Sequence, residues 1–120
     1  MRNVWLLICL LVFACRQNDE IPPSVIPPEE MEKILFEANM AEEFVNSYIL
    51  KDLSKNKETE MKREYEKIFY LHNVTEQQFK KSYDFYRSHP EIYKSLMDAL
   101  DAKAQRKRSD IYSMGAFESQ

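Results

Sequence analysis

The chain has 120 residues, 31% of them charged, and a formal net charge of −3 at pH 7. This length allows one small domain. Its single glycine, Gly115, lies close to the end, so the body has no glycine for the turns of a P-loop or a dinucleotide-binding site. A small β-barrel or sandwich is also disfavoured, because such folds use glycine at their corners. Frequent Ala, Glu, Lys and Leu favour helices instead.

The N-terminal segment has the pattern of a bacterial lipoprotein signal. A short basic start precedes an uncharged apolar run from Val4 to Ala14, which is too short for a membrane span of about 20 residues. Ala14 stands directly before Cys15, and the chain then becomes polar, an arrangement that resembles the lipobox. We therefore expect residues 1–14 to be a cleaved signal peptide and Cys15 to carry lipid, namely diacylglycerol and palmitate.

Cysteine usage supports lipidation of Cys15. Cys9 lies in the segment to be removed, which leaves Cys15 alone in the exported chain and excludes an internal disulfide. The alternative is an ordinary signal peptide cut nearby, with Cys15 left as a free thiol. A lipidated Cys15 would anchor the protein in the cell envelope, in the outer membrane, with the periplasmic and the surface leaflet both open.

Residues 15–27 form the predicted tether between the lipid and the folded domain. Prolines such as Pro22 and Pro23 make it semi-rigid and extended, so residues 16–27 reach at most roughly 37 Å. The acidic pair Asp19-Glu20 is similar to a surface-export signal of Bacteroidota lipoproteins. It is also compatible with a solvated linker.

Apolar residues at spacings of three and four predict four helices in the body, residues 28–108. The first two predicted helices run from Pro28 to about Leu53 and from about Glu58 to His72. The third opens at a cap at Thr75 and ends near Arg87, and the fourth opens at Ser88, with Pro90 in its first turn, and ends near Arg108. Residues 109–120 show no periodicity and are expected to form a mobile tail. The fold class that follows is all-α, a small bundle of three to four helices after a cleaved lipoprotein signal and a Pro-rich tether.

Capping residues predict the turns between these helices. Asn73 is expected to take the left-handed conformation that ends a helix, in place of glycine. Thr75 and Gln78 form a capping box at the start of the third helix, and Ser88 is expected to play the same part ahead of Pro90.

Several segments resemble a known family. They include Ile26-Pro-Pro-Glu-Glu-Met-Glu-Lys-Ile-Leu35, Ala38-Asn-Met-Ala-Glu-Glu-Phe-Val45 and Val74-Thr-Glu-Gln-Gln-Phe79, and the most specific is the series Phe79, Ser82, Tyr86 and His89-Pro90. Over about residues 26–105 the chain is similar to domain-of-unknown-function family 4296, small lipoproteins of Bacteroidota. The resemblance implies a helical envelope lipoprotein and implies no activity, because the family has none assigned.

Side chains with catalytic or metal-binding chemistry are sparse. His72 and His89 lie at different helix ends, and neither has a second histidine four residues away, so we expect no metal site. A serine nucleophile needs an adjacent base and acid, whereas Ser82 lies mid-helix between aromatics. We expect the Ser82 hydroxyl to bond a carbonyl one turn back. No catalytic residue and no cofactor are assigned, and the chain is predicted not to be an enzyme.

A carboxylate on the first helix is the leading candidate for a ligand contact. Glu42 lies at the margin of the apolar stripe, with Asn39 and Asn46 one turn to either side, and a half-buried carboxylate needs a partner. One interpretation pairs it with a Lys, Arg or Tyr of another helix. The other places it in an aromatic pocket with Tyr48, Tyr83 and Tyr86, and with Asn39 as a further polar contact, where it acts as a ligand contact or general base. A buried cavity above about 300 Å³ beside Glu42 would favour the ligand.

Charge is distributed unevenly along the body. Residues 28–53 hold seven acidic and two basic side chains, whereas residues 54–108 hold nine acidic and thirteen basic ones, which predicts attraction between the first helix and the rest. The net charge and the predicted export exclude nucleic acid as a partner. Cations near the end of the fourth helix are a candidate contact for anionic lipid or lipopolysaccharide phosphate, or simply a solvated helix end: Lys103, Arg106, Lys107 and Arg108.

These observations predict an envelope lipoprotein that acts as a non-catalytic protein-interaction or scaffold module. Its expected partners are the membrane, through the lipid anchor, and an unknown envelope protein. The alternative is a small-ligand-binding protein or minor enzyme that uses the aromatic pocket near Glu42. A third hypothesis is a chaperone-like subunit that holds another helix in an exposed groove.

Overall fold

The structure, a computed structural model, describes residues 20–117. Four α-helices follow one another in this part of the chain, with a short 3-10 helix, Ile49–Lys51, after the first: α1 (Pro28–Ser47), α2 (Lys57–Leu71), α3 (Glu76–Arg87) and α4 (Pro90–Phe117). Residues 20–117 contain no strand, which confirms the all-α prediction. The predicted signal peptide, residues 1–14, and Cys15 lie outside the described residues.

Side-chain caps set the beginnings of α2 and α3. The Asn56 side chain accepts a hydrogen bond from the Thr59 N–H at 3.1 Å, and the Thr75 hydroxyl accepts one from the Gln78 N–H at 3.0 Å. Each bond satisfies a backbone N–H that the first helical turn leaves without a partner. Between the two helices Asn73 has a φ of 52°, so the predicted left-handed turn and the Thr75 cap are both confirmed.

α1 is shorter than the sequence predicts. It ends at Ser47 instead of near Leu53, and a 3-10 turn carries the chain onward. Asp52 then accepts hydrogen bonds from the backbone N–H and the hydroxyl of Ser54 at 2.9 and 2.7 Å, a local turn that competes with helix. The prediction of a first helix over residues 28–53 is therefore wrong at its C-terminal end.

The junction of α3 and α4 differs from the prediction at Ser88. Its hydroxyl donates to the Phe85 carbonyl at 2.7 Å and closes the end of α3, where we expected a cap for α4. α4 has Pro90 in its first turn, as predicted, but continues through the predicted tail to Phe117. Residues 109–117 continue the helix because no proline follows Pro90, and the one glycine, Gly115, lies in the last turn, where it costs little.

α1 lies at the centre of the bundle. It packs against α2 and α4, and α3 packs against α4. Met31, Ile34 and Val45 of α1 are completely buried, and burial of such a side chain contributes about 1.5–3 kcal/mol. The other helices add the buried side chains Ile68, Tyr86 and Leu96.

The chain directly ahead of α1 belongs to the core. Val25 and Ile26 expose only 4% and 1% of their surface, and the Val25 N–H donates to the Pro22 carbonyl at 2.9 Å. Residues 21–27, here called the strap, therefore lie against the bundle. The prediction of a tether over residues 15–27 is wrong for this part. Proline restricts the backbone angles of the strap but does not prevent the strap from packing against the bundle. Burial of the Val25 and Ile26 side chains stabilises the packed position.

Two side chains of α3 hold the strap at Ile26. The Ile26 N–H donates to the Ser82 hydroxyl at 2.8 Å, and the Tyr86 hydroxyl donates to the Ile26 carbonyl at 2.6 Å. Ser82 in turn donates to the Gln78 carbonyl at 2.7 Å, which confirms its predicted bond one turn back. We call Ser82 and Tyr86 the strap clamp. Both are fully buried, lie four residues apart on one helix face, and together satisfy both backbone polar groups of Ile26.

Opposite charges join α1 to α4, in agreement with the uneven charge distribution. The Lys103 ammonium of α4 lies 3.4 Å from the Glu32 carboxylate of α1. The Lys103 and Lys107 ammonium groups each lie 5.3 Å from the centre of the Phe36 ring, within the range of a cation–π contact. Two of the four cations proposed for an anionic surface thus contact α1 of the same chain.

Candidate binding grooves

An open groove between α2 and α3 has an aromatic lining. It has a volume of about 760 Å³ and is lined by Tyr65 and Phe69 of α2, by Phe79 of α3, and by Val74 from the turn between the helices. Tyr70 also lines it and has 86% of its surface exposed. We call this site the aromatic groove.

A continuous row of five rings runs from this groove across three helices. Ring centres are 6.0 Å apart for Tyr65 and Phe69, 5.1 Å for Phe69 and Phe79, 6.0 Å for Phe79 and Tyr83, and 6.5 Å for Tyr83 and Tyr93. These are separations at which aromatic pairs attract one another. Because every ring in the row is only partly buried, the row joins α2, α3 and α4 and still leaves aromatic surface accessible to a partner.

Charged side chains of both signs border the aromatic groove. Lys62 and Glu66 of α2 lie 4.0 Å apart, and Glu76 and Lys80 of α3 lie 3.1 Å apart. All four side chains are more than half exposed, so solvent screens these pairs. The groove therefore combines an apolar lining with charges that can exchange their present partners for those of another molecule.

A second groove, the α1–α4 cleft, lies between two helices that run side by side in the same direction. Its volume is about 390 Å³. Its apolar lining consists of Phe36, Met40, Leu100, Ala104 and Ile111. Asn39 of α1 lines it together with Lys107 and Arg108 of α4, so the structure brings together three residues that the sequence analysis assigned to different candidate sites.

Four of the residues proposed for a ligand pocket lie in different parts of the structure. Asn39 lines the α1–α4 cleft, whereas Tyr86 is fully buried and its hydroxyl donates a hydrogen bond to the Ile26 carbonyl of the strap. Tyr83 is half-buried in the row of rings, where a hydrogen bond with Tyr93 and burial raise the pKa of its phenol. The proposed ligand contacts of these residues stay predictions.

Glu42, the fourth of them, is exposed, so the expectation of a half-buried carboxylate is wrong. It stands at the edge of the α1 face that buries Ala38 and Val45, where a charged side chain can turn to water. The pKa of the Tyr65 phenol on α2 is raised, mainly by burial and secondly by the negative charge of Glu42. Glu42 lines neither the aromatic groove nor the α1–α4 cleft.

His72, at the end of α2, bridges two carboxylates of α1. Its Nδ1 contacts Glu30 Oε1, and its Nε2 lies 3.0 Å from Glu37 Oε2. Both ring nitrogens can donate only in the protonated imidazolium. Burial opposes that charge, but hydrogen bonds to Glu30 and Glu37 outweigh it and raise the pKa of His72. The bond to His72, with help from Lys33, lowers the pKa of Glu30. We call this cluster the histidine bridge.

Glu60 is a buried carboxylate that the sequence analysis did not single out. Its side chain is 10% exposed and lies 3.8 Å from the Lys55 ammonium and 3.5 Å from the Arg63 guanidinium. It also stands in the first turn of α2, where the helix dipole favours an acid. Glu60 and Arg63 lie three residues apart on one helix, so their contact could have been predicted from the sequence. The contact with Lys55 depends on the conformation of the loop ahead of α2.

Residues 20–117 contain neither a metal-binding cluster nor a membrane-spanning helix. No three His, Cys, Asp or Glu side chains in this range converge in a way that could hold a metal ion. No helix in the same range is both long and apolar enough to cross a membrane.

A family model described as Domain of unknown function (DUF4296) matches residues 22–110. The chain belongs to the DUF4296 family. The match begins in the strap and ends in α4, so the DUF4296 domain includes the strap clamp and both grooves apart from the last position of the cleft, Ile111. No curated protein and no solved structure shows significant similarity to this chain.

We expect the histidine bridge to make the stability of the DUF4296 domain pH-dependent. Because the pKa of His72 is raised above its ordinary 6.5, its contribution is complete below that value and is lost as pH rises through the folded-state pKa. The lowered pKa of Glu30 acts in the opposite direction: its contribution is present above 4.5 and is lost as pH falls through the folded-state pKa. Urea denaturation should therefore show a loss on the order of 1 kcal/mol as pH rises from below 6.5 through the folded-state pKa of His72.

Single substitutions separate the bridge from general charge effects. His72→Gln should remove the fall in unfolding free energy above neutral pH, and Glu37→Gln should reduce it. Glu42→Gln, which removes an exposed carboxylate from the same helix, is the matched control and should leave the fall unchanged. A His72→Gln variant that keeps the full pH dependence would show that another group causes it.

Proposed function

We propose that this protein is a lipid-anchored, non-catalytic module of the cell envelope that binds a partner protein in the aromatic groove. The observation that carries the proposal is the groove itself, about 760 Å³ in volume and lined by partly exposed aromatic rings between charged borders. Aromatic side chains are enriched at the centre of protein interfaces, and charged side chains are kept to the rim. The aromatic groove has this distribution.

A protein segment fits this groove better than a small ligand does. Small-molecule sites enclose most of the ligand and direct a few polar groups toward it. Here α2 and α3 form two walls of an open groove, and its ion pairs, Lys62 with Glu66 and Glu76 with Lys80, are exposed. An amphipathic helix could lay its apolar face on Phe69 and Phe79 and exchange charges with these pairs.

The envelope location is proposed from the N-terminal sequence. The apolar run that ends at Ala14 and Cys15 supports a cleaved signal and a lipid on the Cys15 sulfur, with the outer membrane as the site of anchoring. Mass spectrometry of the purified N-terminus tests this part by itself. An unmodified Cys15 would contradict the anchor and leave the argument for the aromatic groove intact.

Tyr70 provides the test of the groove. A photoreactive residue at position 70 of the full-length chain, expressed in its own host, should crosslink to one envelope protein. Tyr70→Ala should weaken capture of that protein by about tenfold or more, as truncation of an interface aromatic often does. It should leave the melting temperature unchanged, because Tyr70 is 86% exposed.

Leu53→Ala is the matched control, since Leu53 is 98% exposed and does not line the groove. It should alter neither capture nor melting. Equal capture by wild type and Tyr70→Ala, or crosslinks from position 70 to lipid alone, would contradict a protein partner in this groove.

A further inference from the structure

Apart from the aromatic groove, the structure leaves apolar surface open at the C-terminal ends of α1 and α4. Along α1 the exposed fraction rises from 37% at Met40 to 46% at Phe44, and it reaches 66% at Tyr48, the residue that caps the helix. Along α4, Ile111 and Met114 are 60% and 67% exposed. These residues recur every three or four positions, so an apolar stripe continues along each helix beyond the part that the bundle covers. Monomeric proteins rarely leave a large apolar patch of this kind uncovered.

The two walls of the α1–α4 cleft differ in charge. The α1 wall contributes Glu43, and α1 has no basic residue after Lys33. The α4 wall contributes Lys107 and Arg108, and its one acidic lining residue is Asp101. The cleft is therefore negative along one helix and predominantly positive along the other, with apolar side chains between the walls.

We propose that the α1–α4 cleft binds the same cleft of a second copy of this chain in a two-fold symmetric dimer. In such an interface each surface meets itself in reverse order, so the acidic wall of one protomer can face the basic wall of the other. An anionic membrane surface would match the α4 wall alone and would be repelled by Glu43. The apolar stripes on both helices supply the surface that association would bury.

This proposal does not depend on the aromatic groove, because α1 and α4 line one site and α2 and α3 the other. The two proposals can therefore fail separately. Loss of partner capture in Tyr70→Ala would test the groove, and the oligomeric state tests the cleft.

The first experiment disrupts the apolar part of the interface. Two full-length chains with different tags are coexpressed, solubilised in detergent and purified through one tag, and the mass of the complex is measured by sedimentation equilibrium. Wild type should copurify as a dimer. Ile111→Lys should lower dimer association at least about tenfold without lowering the melting temperature, since Ile111 is 60% exposed. Leu71→Lys, at a position 74% exposed and outside the cleft, should leave the dimer unchanged.

The second experiment exchanges charges between copies. In Glu43→Lys homodimers the new lysine would face Lys107 of the other copy, and in Lys107→Glu homodimers two glutamates would face each other, so both homodimers should weaken. When the two variants are mixed, each altered charge meets its opposite, and the mixed dimer should recover. Recovery that requires both chains cannot come from contacts within one chain.

The proposal would be overturned by a wild-type chain that stays monomeric at all concentrations. A mixed pair no stronger than either variant alone would also overturn it, as would crosslinks from position 111 to lipid or to a different protein only. The melting temperature of each variant shows whether the single chain has kept its fold.

Discussion

Tyr86→Ala is expected to destabilise the protein by about 3–5 kcal/mol, the range for removal of a buried aromatic side chain. Tyr86 is fully buried, and its hydroxyl donates the 2.6 Å hydrogen bond that satisfies the Ile26 carbonyl. The substitution would leave a cavity in the core and a buried carbonyl without its partner. A domain of this size loses about 4–8 °C of Tm per kcal/mol, so thermal denaturation followed by circular dichroism should show a fall of at least about 12 °C.

Tyr86→Phe separates the hydrogen bond from the packing. It keeps the ring and removes the hydroxyl, and the unsatisfied Ile26 carbonyl should cost about 1–3 kcal/mol. Tyr70→Phe removes a hydroxyl from a tyrosine that is 86% exposed and should have no measurable effect. If the two Tyr→Phe variants melt alike, the hydrogen bond from the Tyr86 hydroxyl to the Ile26 carbonyl contributes nothing measurable to stability.

Ile26→Ala is expected to cost about 2–5 kcal/mol, although Ile26 lies ahead of the first helix. The side chain is 1% exposed and forms part of the same core cluster as Met31 and Ile34. Urea denaturation measures the loss directly. Hydrogen exchange adds a second readout, because the Ile26 amide bonded to Ser82 should exchange only when the bundle opens.

Ser24→Ala is the matched control for Ile26→Ala. Ser24 is an exposed residue of the same strap, so its replacement should change the unfolding free energy by less than about 0.5 kcal/mol. If the strap moved freely as a tether, Ile26→Ala and Ser24→Ala would have the same free energy of unfolding. Equal stabilities, together with rapid exchange of the Ile26 amide, would therefore contradict a packed strap.

The turn between α2 and α3 could be predicted from the sequence because capping is local. Thr75 and Asn73 act within three or four residues of their own positions, so the residues that decide the turn are visible in one short segment. The strap could not be predicted in this way. The bonds that hold Ile26 join residues 56 and 60 positions apart, and the local prolines suggested only an extended linker.

The same distinction between local and long-range contacts explains which features of the candidate sites could be predicted. Glu30 and Glu37 lie seven residues apart and so share one face of α1, but nothing near them indicates that His72 reaches that face from α2. Periodicity placed Glu42 beside the buried stripe, and only the packing of α2 against α1 decides that it stays in water. Buried polar contacts between helices depend on tertiary geometry that periodicity does not contain.

Because the strap packs against the bundle, the length of chain that can separate the domain from Cys15 is much shorter than the proline-rich segment suggests. Only residues 16–20 separate Cys15 from the strap, and five residues span at most about 18 Å. With the proposed lipid on Cys15, the domain would be confined to a thin layer next to the bilayer. Confinement of this kind raises the effective concentration of each chain toward its neighbours in the membrane plane. At a given dissociation constant, a larger fraction of the chains would then be associated at this surface than at the same average concentration in solution.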